Sequence, residues 1–460
     1  MDWEGTGLWH VALVLGACAW AWALLHILTT RYTSAGTSAW LLAIVLMPYV
    51  GVPLYALFGG RKLTRIKRRK QQIRLRAETV IDVGRTSEID RLLRGLGIPG
   101  ATCGNNVELL EHGAAARKRL LQMIAEARES IDLLIYVFKD DDTGRETIRA
   151  LAARASAGVK VRLLYDSLGS HATNRRVFAP LREAGGEVVA FMPAGWFPFR
   201  ARTNLRNHRK LIVVDHRIVW GGGMNIGDEY LGPRRKRWID IAFTLEGPAV
   251  QACSEIFRSD WAFAAGKEAG PPAPPVNTAF YGDEGVGQMV PSGPDVDNDP
   301  LYATLLAMAF EARERLWIVT PYFVPNEPLN EALCFAAVRG IDVRIIVPRK
   351  SNHKLPDLAR TPFLRDLQRA GAKIHLVEEM MHAKIVLMDD ALALHGSANL
   401  DARSLFLNFE IGMICYSRKD VDTARHWIEA LLPKTQVRPS PVTQVTRMKE
   451  GVMRLVAPLL

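Results

Sequence analysis

The sequence predicts an α/β protein in which two similar domains are arranged about a pseudo-two-fold axis and preceded by two transmembrane helices. Three features carry this reading. A strand-like nonapeptide, NHRKLIVVD at residues 207–215, nearly recurs as MHAKIVLMD at 381–389. Helical and strand-like segments alternate ahead of each copy. Before all of this, residues 8–28 and 39–58 contain no Asp, Glu, Lys or Arg.

Each uncharged stretch is long enough to cross a hydrocarbon core of about 30 Å. Pro48 and Pro53 are tolerable in such a span, where neighbouring groups take up the freed carbonyls. Of the aromatic Trp9, Trp20, Trp22, Trp40 and Tyr49, those near the span ends suit interfacial anchoring. The acidic opening MDWEGT reads as a retained hairpin rather than a cleaved signal. Nine Lys or Arg residues lie between Arg61 and Arg76 with no acidic residue among them, against Arg31 alone between the spans. The positive-inside rule then puts the remainder of the chain in the cytoplasm, and the basic run suits anionic headgroups.

Beyond residue 107, helix GAAARKRLLQMIAEARESI, strand DLLIYVF, helix TIRALAARASAG and strands VKVRLLYD and EVVAFM follow one another. Continuous apolar strands between helices imply a sheet covered on both faces. A break containing GPPAPP and PSGPDVDNDP reads as a linker. The same order then returns with LYATLLAMAFEARER, LWIVTPYFV, NEPLNEALCFAAVRG, IDVRIIVPR, FLRDLQRAG and AKIHLVE. A repeat this long points to a duplicated domain rather than a solenoid. The expected layout is two transmembrane helices in 1–60, a basic juxtamembrane linker in 61–107, a first domain in 108–264, a linker in 265–300 and a second domain in 301–460.

The 460 residues are 48% hydrophobic, enough for substantial cores, and the net charge of +11 suggests an anionic partner. Nucleic acid, an acidic membrane surface and a phosphorylated substrate all satisfy that charge. Five scattered cysteines without CxxC spacing indicate neither a disulfide framework nor a zinc site.

The repeated motif carries the chemistry. Side chains alternate faces along a strand, so His208 and Lys210 project together, as do His382 and Lys384. Each motif leads into a small-residue turn and an asparagine, GGMN ending at Asn225 and GSAN ending at Asn399. Such turns let backbone approach a ligand, and the asparagines add directed donors. Two lysines, two asparagines and backbone amides form an anion cradle, while the histidines exchange protons near neutral pH. With no Asp/Glu cluster placed to hold a metal, the lysines are left to offset phosphoryl charge, so neither metal nor cofactor is expected. One imidazole can attack phosphorus to give a phosphohistidine, and the other can protonate the departing alkoxide and then activate the incoming alcohol. Asp240 in RWIDIAF and Glu410 in LNFEIGM are candidates for orienting the histidines. Asp215 and Asp389 complete the candidate catalytic set, although they suit tying strand ends into a neighbouring turn at least as well. Metal binding by the histidines is the alternative, disfavoured by the cation beside each ring.

The doubled HRKLIVVDHRIVWGGGMN and HAKIVLMDDALALHGSAN resemble the phospholipase D superfamily. The wider stretches NHRKLIVVDHRIVWGGGMNIGDEY, TPYFVPNEPL, VRIIVPRKSNHKL and GSANLDARSLFLNFE resemble its bacterial cardiolipin synthase branch, and the similarity covers nearly the whole chain. The resemblance implies two phospholipase D-like sandwich domains at the bacterial inner membrane, with phosphatidylglycerol and anionic membrane lipids as partners. It implies transfer of a phosphatidyl group from one phosphatidylglycerol to the hydroxyl of another, giving cardiolipin and glycerol. His208 is then the nucleophile and His382 the acid/base, although the near-symmetry allows the reverse. Glu410 serves His208 and Asp240 serves His382 if the orienting acid comes from the opposite half. Ser397 in place of the second glycine is a modest departure.

Two other functions compete. A phosphodiesterase acting on phospholipid or nucleic acid would use the same residues, but the densest basic run abuts a membrane span, so no nucleic-acid partner is expected. A non-catalytic scaffold is disfavoured by intact histidines in both halves. The stretch AGWFPFRARTNLRNH at 194–208 mixes Trp196, Phe197 and Phe199 with Arg200, Arg202 and Arg206 and suits a headgroup-level entry rim. The terminal MKEGVMRLVAPLL suits either a membrane-touching or a packing helix.

Overall fold

A computed structural model describes residues 3–29, 34–58, 70, 88–193, 205–233, 235, 237–268, 270–272 and 285–437. The basic run apart from Lys70, the aromatic rim stretch apart from residues 205–208, and the terminal MKEGVMRLVAPLL lie outside them. The chain forms two compact units, one of residues 1–70 with 194–205 and one of the remainder.

In the first unit, α1 (Trp3–Thr29), α2 (Ser34–Leu46) and α3 (Pro48–Phe58) pack around Ala23, Ile27, Ile44 and Tyr55. The Trp20 indole donates to the Ile44 carbonyl at 3.2 Å, and His26 Nδ1 lies 2.5 Å from the Tyr55 hydroxyl. The expected single span over 39–58 is instead two helices broken at Met47. Pro48 has no N–H to continue the ladder and drives its predecessor out of the helical region. Among the described residues no helix is long and apolar enough to cross a membrane. These helices nonetheless expose large apolar side chains, with Leu25 65%, Leu46 73% and Tyr49 91% accessible.

Among the described residues the second unit begins with α4 (Glu88–Gly95) and then builds a first α/β half from β1 (Asn106–Leu110), α5 (Gly113–Glu126), β2 (Ser130–Ile135), α6 (Asp142–Ser156), β3 (Lys160–Asp166), α7 (Ala179–Glu183), β4 (Glu187–Phe191), β5 (Leu211–Val214), β6 (Ile218–Gly222), α8 (Asp228–Leu231), β7 (Ala242–Glu246) and α9 (Val250–Ala265). The second half comprises β8 (Gly287–Ser292), α10 (Pro300–Glu311), β9 (Arg315–Val319), β10 (Phe323–Val324), α11 (Glu327–Val338), β11 (Asp342–Pro348), α12 (Lys354–Ala359), α13 (Thr361–Arg369), β12 (Lys373–Val377), β13 (Ile385–Met388), β14 (Leu392–Gly396), β15 (Leu400–Asp401), α14 (Ala402–Phe406), β16 (Glu410–Cys415), α15 (Arg418–Leu431) and β17 (Thr435–Val437).

The two sheets repeat one topology. The first runs β1-β7-β6-β5-β2-β3-β4 and the second β8-β16-β14-β13-β9-β11-β12-β17. In each, a parallel trio (β2-β3-β4, β9-β11-β12) meets an antiparallel meander (β5-β6-β7, β13-β14-β16). Both sheets are mixed, and their strands are largely buried. β8 is the counterpart of β1 and lies inside the stretch 265–300 that the sequence assigns to a linker. Its Pro291 hid it, and the position is tolerable because β8 is an edge strand.

Each half has its own core, centred on Leu133, Leu163 and Trp220 in the first and on Ile318, Ile345 and Leu394 in the second. A third cluster joins them, where Ile241 packs with Trp317, Ile385 and Trp427. The Trp427 indole donates across the junction to the Glu111 carbonyl at 3.2 Å.

Asp215 and Asp389 sit where β5 and β13 turn back, both at φ 51°. The Asp215 carboxylate accepts from the backbone N–H groups of Arg128, Glu129 and Ser130 at 2.8–2.9 Å. Asp389 does the same for Arg313, Glu314 and Arg315, at 2.8 Å from the Glu314 nitrogen. Both tie a helix-to-strand turn to the sheet at the strand end away from the histidines, which is the structural one of the two roles the sequence leaves open to them. Asp389→Ala is expected to lower the unfolding free energy by about 1–3 kcal/mol, read from the denaturant midpoint. An unchanged midpoint would show that water replaces the carboxylate at no cost.

Candidate active site

His208 and Lys210 lie in the extended segment leading into β5, and His382 and Lys384 in the equivalent segment before β13. Each segment is fixed by the opposite half. Asn207 pairs with Phe409 and Ile239 with Met381 in isolated parallel bridges. The His208 N–H donates to the Phe409 carbonyl at 2.9 Å, and the His382 N–H to the Ile239 carbonyl at 2.7 Å. These crossings carry a carboxylate to each ring. His208 Nδ1 lies 2.9 and 3.0 Å from the two Glu410 oxygens, and His382 Nδ1 lies 2.8 Å from Asp240 Oδ2. With Nδ1–H donating to a buried carboxylate, Nε2 of each neutral ring keeps its lone pair.

Both imidazoles line one cavity of about 760 Å³, together with Tyr136, Asn225, Tyr230 and Asn399. Tyr136 meets His208 edge-on at 4.6 Å, while Tyr230 and Trp238 flank His382 at 5.3 and 5.7 Å. Lys210 donates to the His208 carbonyl at 2.7 Å. Lys384 lies 2.9 Å from His382 Nδ1 and 3.1 Å from Nε2 and also donates to the His382 carbonyl. Asn225 accepts from the Val137 N–H at 3.0 Å and hydrogen-bonds Tyr230. Asn399 donates to Ser404 Oγ at 3.3 Å, and its buried Oδ1 has no hydrogen-bond partner among the described residues. The structure thus brings His208, Lys210, Asn225, Asp240, His382, Lys384, Asn399 and Glu410 together, and leaves Asp215 and Asp389 outside.

Burial sets the protonation. It holds His208 down to about 4 and His382 to about 3, with the buried lysines pushing the same way and the carboxylates opposing. Burial also lowers Lys384 to about 8 and Lys210 well below the ordinary lysine value. Burial acts to raise Glu410, yet His208, Lys210 and Ser397 together bring it below its ordinary value. Each imidazole, neutral at pH 7, has a buried lysine beside it and a buried carboxylate on its Nδ1.

Several residues that position the site escaped sequence reasoning. Ser397 Oγ donates to Glu410 Oε2 at 2.5 Å. Arg209, between His208 and Lys210, points to the other side and is fully buried, paired with Asp260 at 2.9 Å and Asp295 at 3.1 Å, and donating to the Glu410 carbonyl at 3.0 Å. Asn207 donates to the same Asp260 at 2.9 Å. A charged residue beside two catalytic candidates on a buried segment was the available signal, since a buried guanidinium needs carboxylates.

A family model described as "Cardiolipin synthase, PLD-like domain" matches residues 120–261 and 305–432, and one described as "Phospholipase_D-nuclease N-terminal" matches 18–60. The chain is 36% identical to cardiolipin synthase 1 of Bacillus cereus, over 92% of this chain and 89% of that one. It is 34% identical to the major cardiolipin synthase ClsA of Bacillus subtilis, covering 95% of this chain and 96% of that one. Cardiolipin synthase A of Pseudomonas fluorescens is 32% identical, with both chains covered in full. Among solved structures, phosphatidylserine synthase from Haemophilus influenzae shares the fold, with a TM-score of 0.60 at 16% identity, over 80% of this chain and 96% of that one. The duplicated sheets, the paired motifs and relatives matched along nearly their whole length give one conclusion: the chain belongs to the cardiolipin synthase family with phospholipase D-like domains.

Proposed function

We propose that the chain is a phosphatidyltransferase that moves a phosphatidyl group from one phosphatidylglycerol to a hydroxyl of another, giving cardiolipin and glycerol. The observation that carries this reading is the pair of imidazoles on one cavity, each held by a carboxylate from the opposite half beside a buried lysine. His208 Nε2 attacks phosphorus, and the bond to the first glycerol oxygen breaks as His382 delivers it a proton. A hydroxyl of the second phosphatidylglycerol then gives its proton back to His382 and attacks phosphorus, breaking the P–N bond. Glu410 stabilises the positive charge that His208 acquires on phosphorylation, and Lys210, Lys384, Asn225 and Asn399 stabilise the equatorial oxygens. The names of the relatives support this substrate class.

The same proposal places α1 to α3 in the membrane. Their exposed leucines and Tyr49 have no aqueous rationale on such a small helical unit, and a lipid environment supplies one. The catalytic halves then face the inner surface, following the basic run between Arg61 and Arg76.

Incubating the membrane-reconstituted chain with phosphatidylglycerol is expected to yield cardiolipin and glycerol by lipid mass spectrometry; phosphatidic acid in their place would mean water is the acceptor. His208→Ala should lower product formation by roughly 10²–10⁴-fold, and unaltered turnover would refute the nucleophile. Substrate should also bring a proton. His382 rests near 3 and is unprotonated at pH 7, yet must act as an acid, and the phosphodiester charge favours its cationic form. Titrating His208→Asn with short-chain phosphatidylglycerol in buffers of different ionisation enthalpy should reveal uptake approaching one proton. A buffer-independent binding enthalpy would remove His382 from that role.

A further inference from the structure

The cavity opens between two lips that are built unlike ordinary protein surface. On the second half, α12 exposes its largest apolar side chains, Leu355 at 53% and Leu358 at 55%, and buries its small one, Ala359, against Val324 and Phe363. A surface helix normally does the reverse. Pro356, between the two leucines, lines the cavity, and so does the preceding His353, whose ring packs against Tyr322 at 5.7 Å. The first half mirrors this. The turn after β3 exposes Leu168 at 41%, and Leu168 and His171 line the same cavity.

Cations accompany the leucines on both sides. Lys350 and Lys354 are exposed on the second lip, and Arg175 and Arg176 follow the turn on the first. None of the four has an ion-pair partner among the described residues, whereas Asp357 of α12 is already engaged by Arg360 at 3.2 Å. Exposed apolar residues at a cavity mouth, ringed by unpaired cations, match an interface with hydrocarbon below and phosphate above. Each cation is attracted to an anionic surface, and the leucines add burial in the acyl boundary.

We propose that these two lips are a docking surface for an anionic lipid bilayer, seating Leu168, Leu355 and Leu358 at the headgroup–acyl boundary so that phosphatidylglycerol passes from the leaflet into the cavity. The inference rests on the lipid substrate proposed above. It assigns membrane contact to the catalytic halves themselves, separately from α1 to α3.

The full chain carrying Leu355→Ser with Leu358→Ser tests this, because both side chains are exposed and the buried Ala359 is untouched. With phosphatidylglycerol in vesicles, kcat/KM should fall about tenfold through a higher apparent KM for bulk lipid, while turnover of monomeric short-chain phosphatidylglycerol stays within about twofold. Equal losses on both lipids, or none on vesicles, overturn the proposal. Hydrogen exchange of the unmutated chain in bilayers of phosphatidylglycerol against phosphatidylcholine gives a second reading that needs no turnover. Slower exchange over residues 168–176 and 350–359 in the anionic bilayer is expected, and identical exchange overturns the docking surface. If the unmutated chain makes no cardiolipin, the proposed reaction fails and the exchange result still decides the docking.

Discussion

Everything in the catalytic unit depends on two short backbone crossings, residues 207–209 against 408–410 and 238–240 against 380–382. Each is only a bridge wide, yet each fixes a histidine of one half to the chain that carries the opposite half's carboxylate. A carboxylate buried beside a neutral imidazole is costly unless its lone pairs are met. The crossings meet them by geometry rather than by chance of docking, since Glu410 and Asp240 each follow the bridged residue by one position. Separating the halves would therefore strip both histidines of their carboxylates and expose the apolar junction to water.

The Arg209 cluster reinforces one of these crossings and has no partner at the other. Position 209 is arginine in the first motif, whereas its equivalent, Ala383, is small and sits in the apolar junction core. Arg209 reaches Asp260 of its own half and Asp295 of the other, and holds the Glu410 carbonyl, so it bolts the crossing that serves His208. Ion pairs buried this deeply add little net stability, but removing one partner strands a charge. Their effect is to fix geometry, and the geometry they fix is that of the His208–Glu410 pair.

Much of this was legible in the sequence because duplication doubles every signal. A single HxK segment is weak, but two copies with matching Gly-Asn turns point to His208, Asn225, His382 and Asn399, which line the cavity, whereas most of its other lining residues carry no such signal. The pairing of each acid with the opposite half's histidine came from resemblance, since linear spacing carries no information about which half an acid faces. The sequence leaves Asp215 and Asp389 between a catalytic and a structural role, because spacing alone cannot tell a side chain at the active end of a strand from one at the other end. β8 was hidden because an edge strand with Pro291 needs no propensity when Glu410 to Cys415 pair along its length. The break at Met47 follows from Pro48, a residue the composition shows but whose outcome depends on whether neighbours take up the freed carbonyls.

The two histidines are alike in sequence and unlike in support. After Asp240, the Ile241 N–H takes Asp240 Oδ1 at 2.8 Å, leaving one oxygen for His382. After Glu410, the Ile411 N–H is taken instead by Ser397 Oγ at 3.0 Å, so both Glu410 oxygens stay within reach of His208. The glycine equivalent to Ser397 is Gly223, where a Cβ would lie 2.5 Å from Asp240 Oδ1, so the serine arrangement does not fit there. The longer acid and the hydroxyl go together on one side, the shorter acid and the glycine on the other. A ring backed by two carboxylate oxygens is better suited to carry the positive charge of a phosphorylated intermediate. A ring with one carboxylate oxygen and the Lys384 ammonium against it gives up its proton more readily. This asymmetry favours His208 as nucleophile and His382 as acid, a distinction that the repeated motif leaves open.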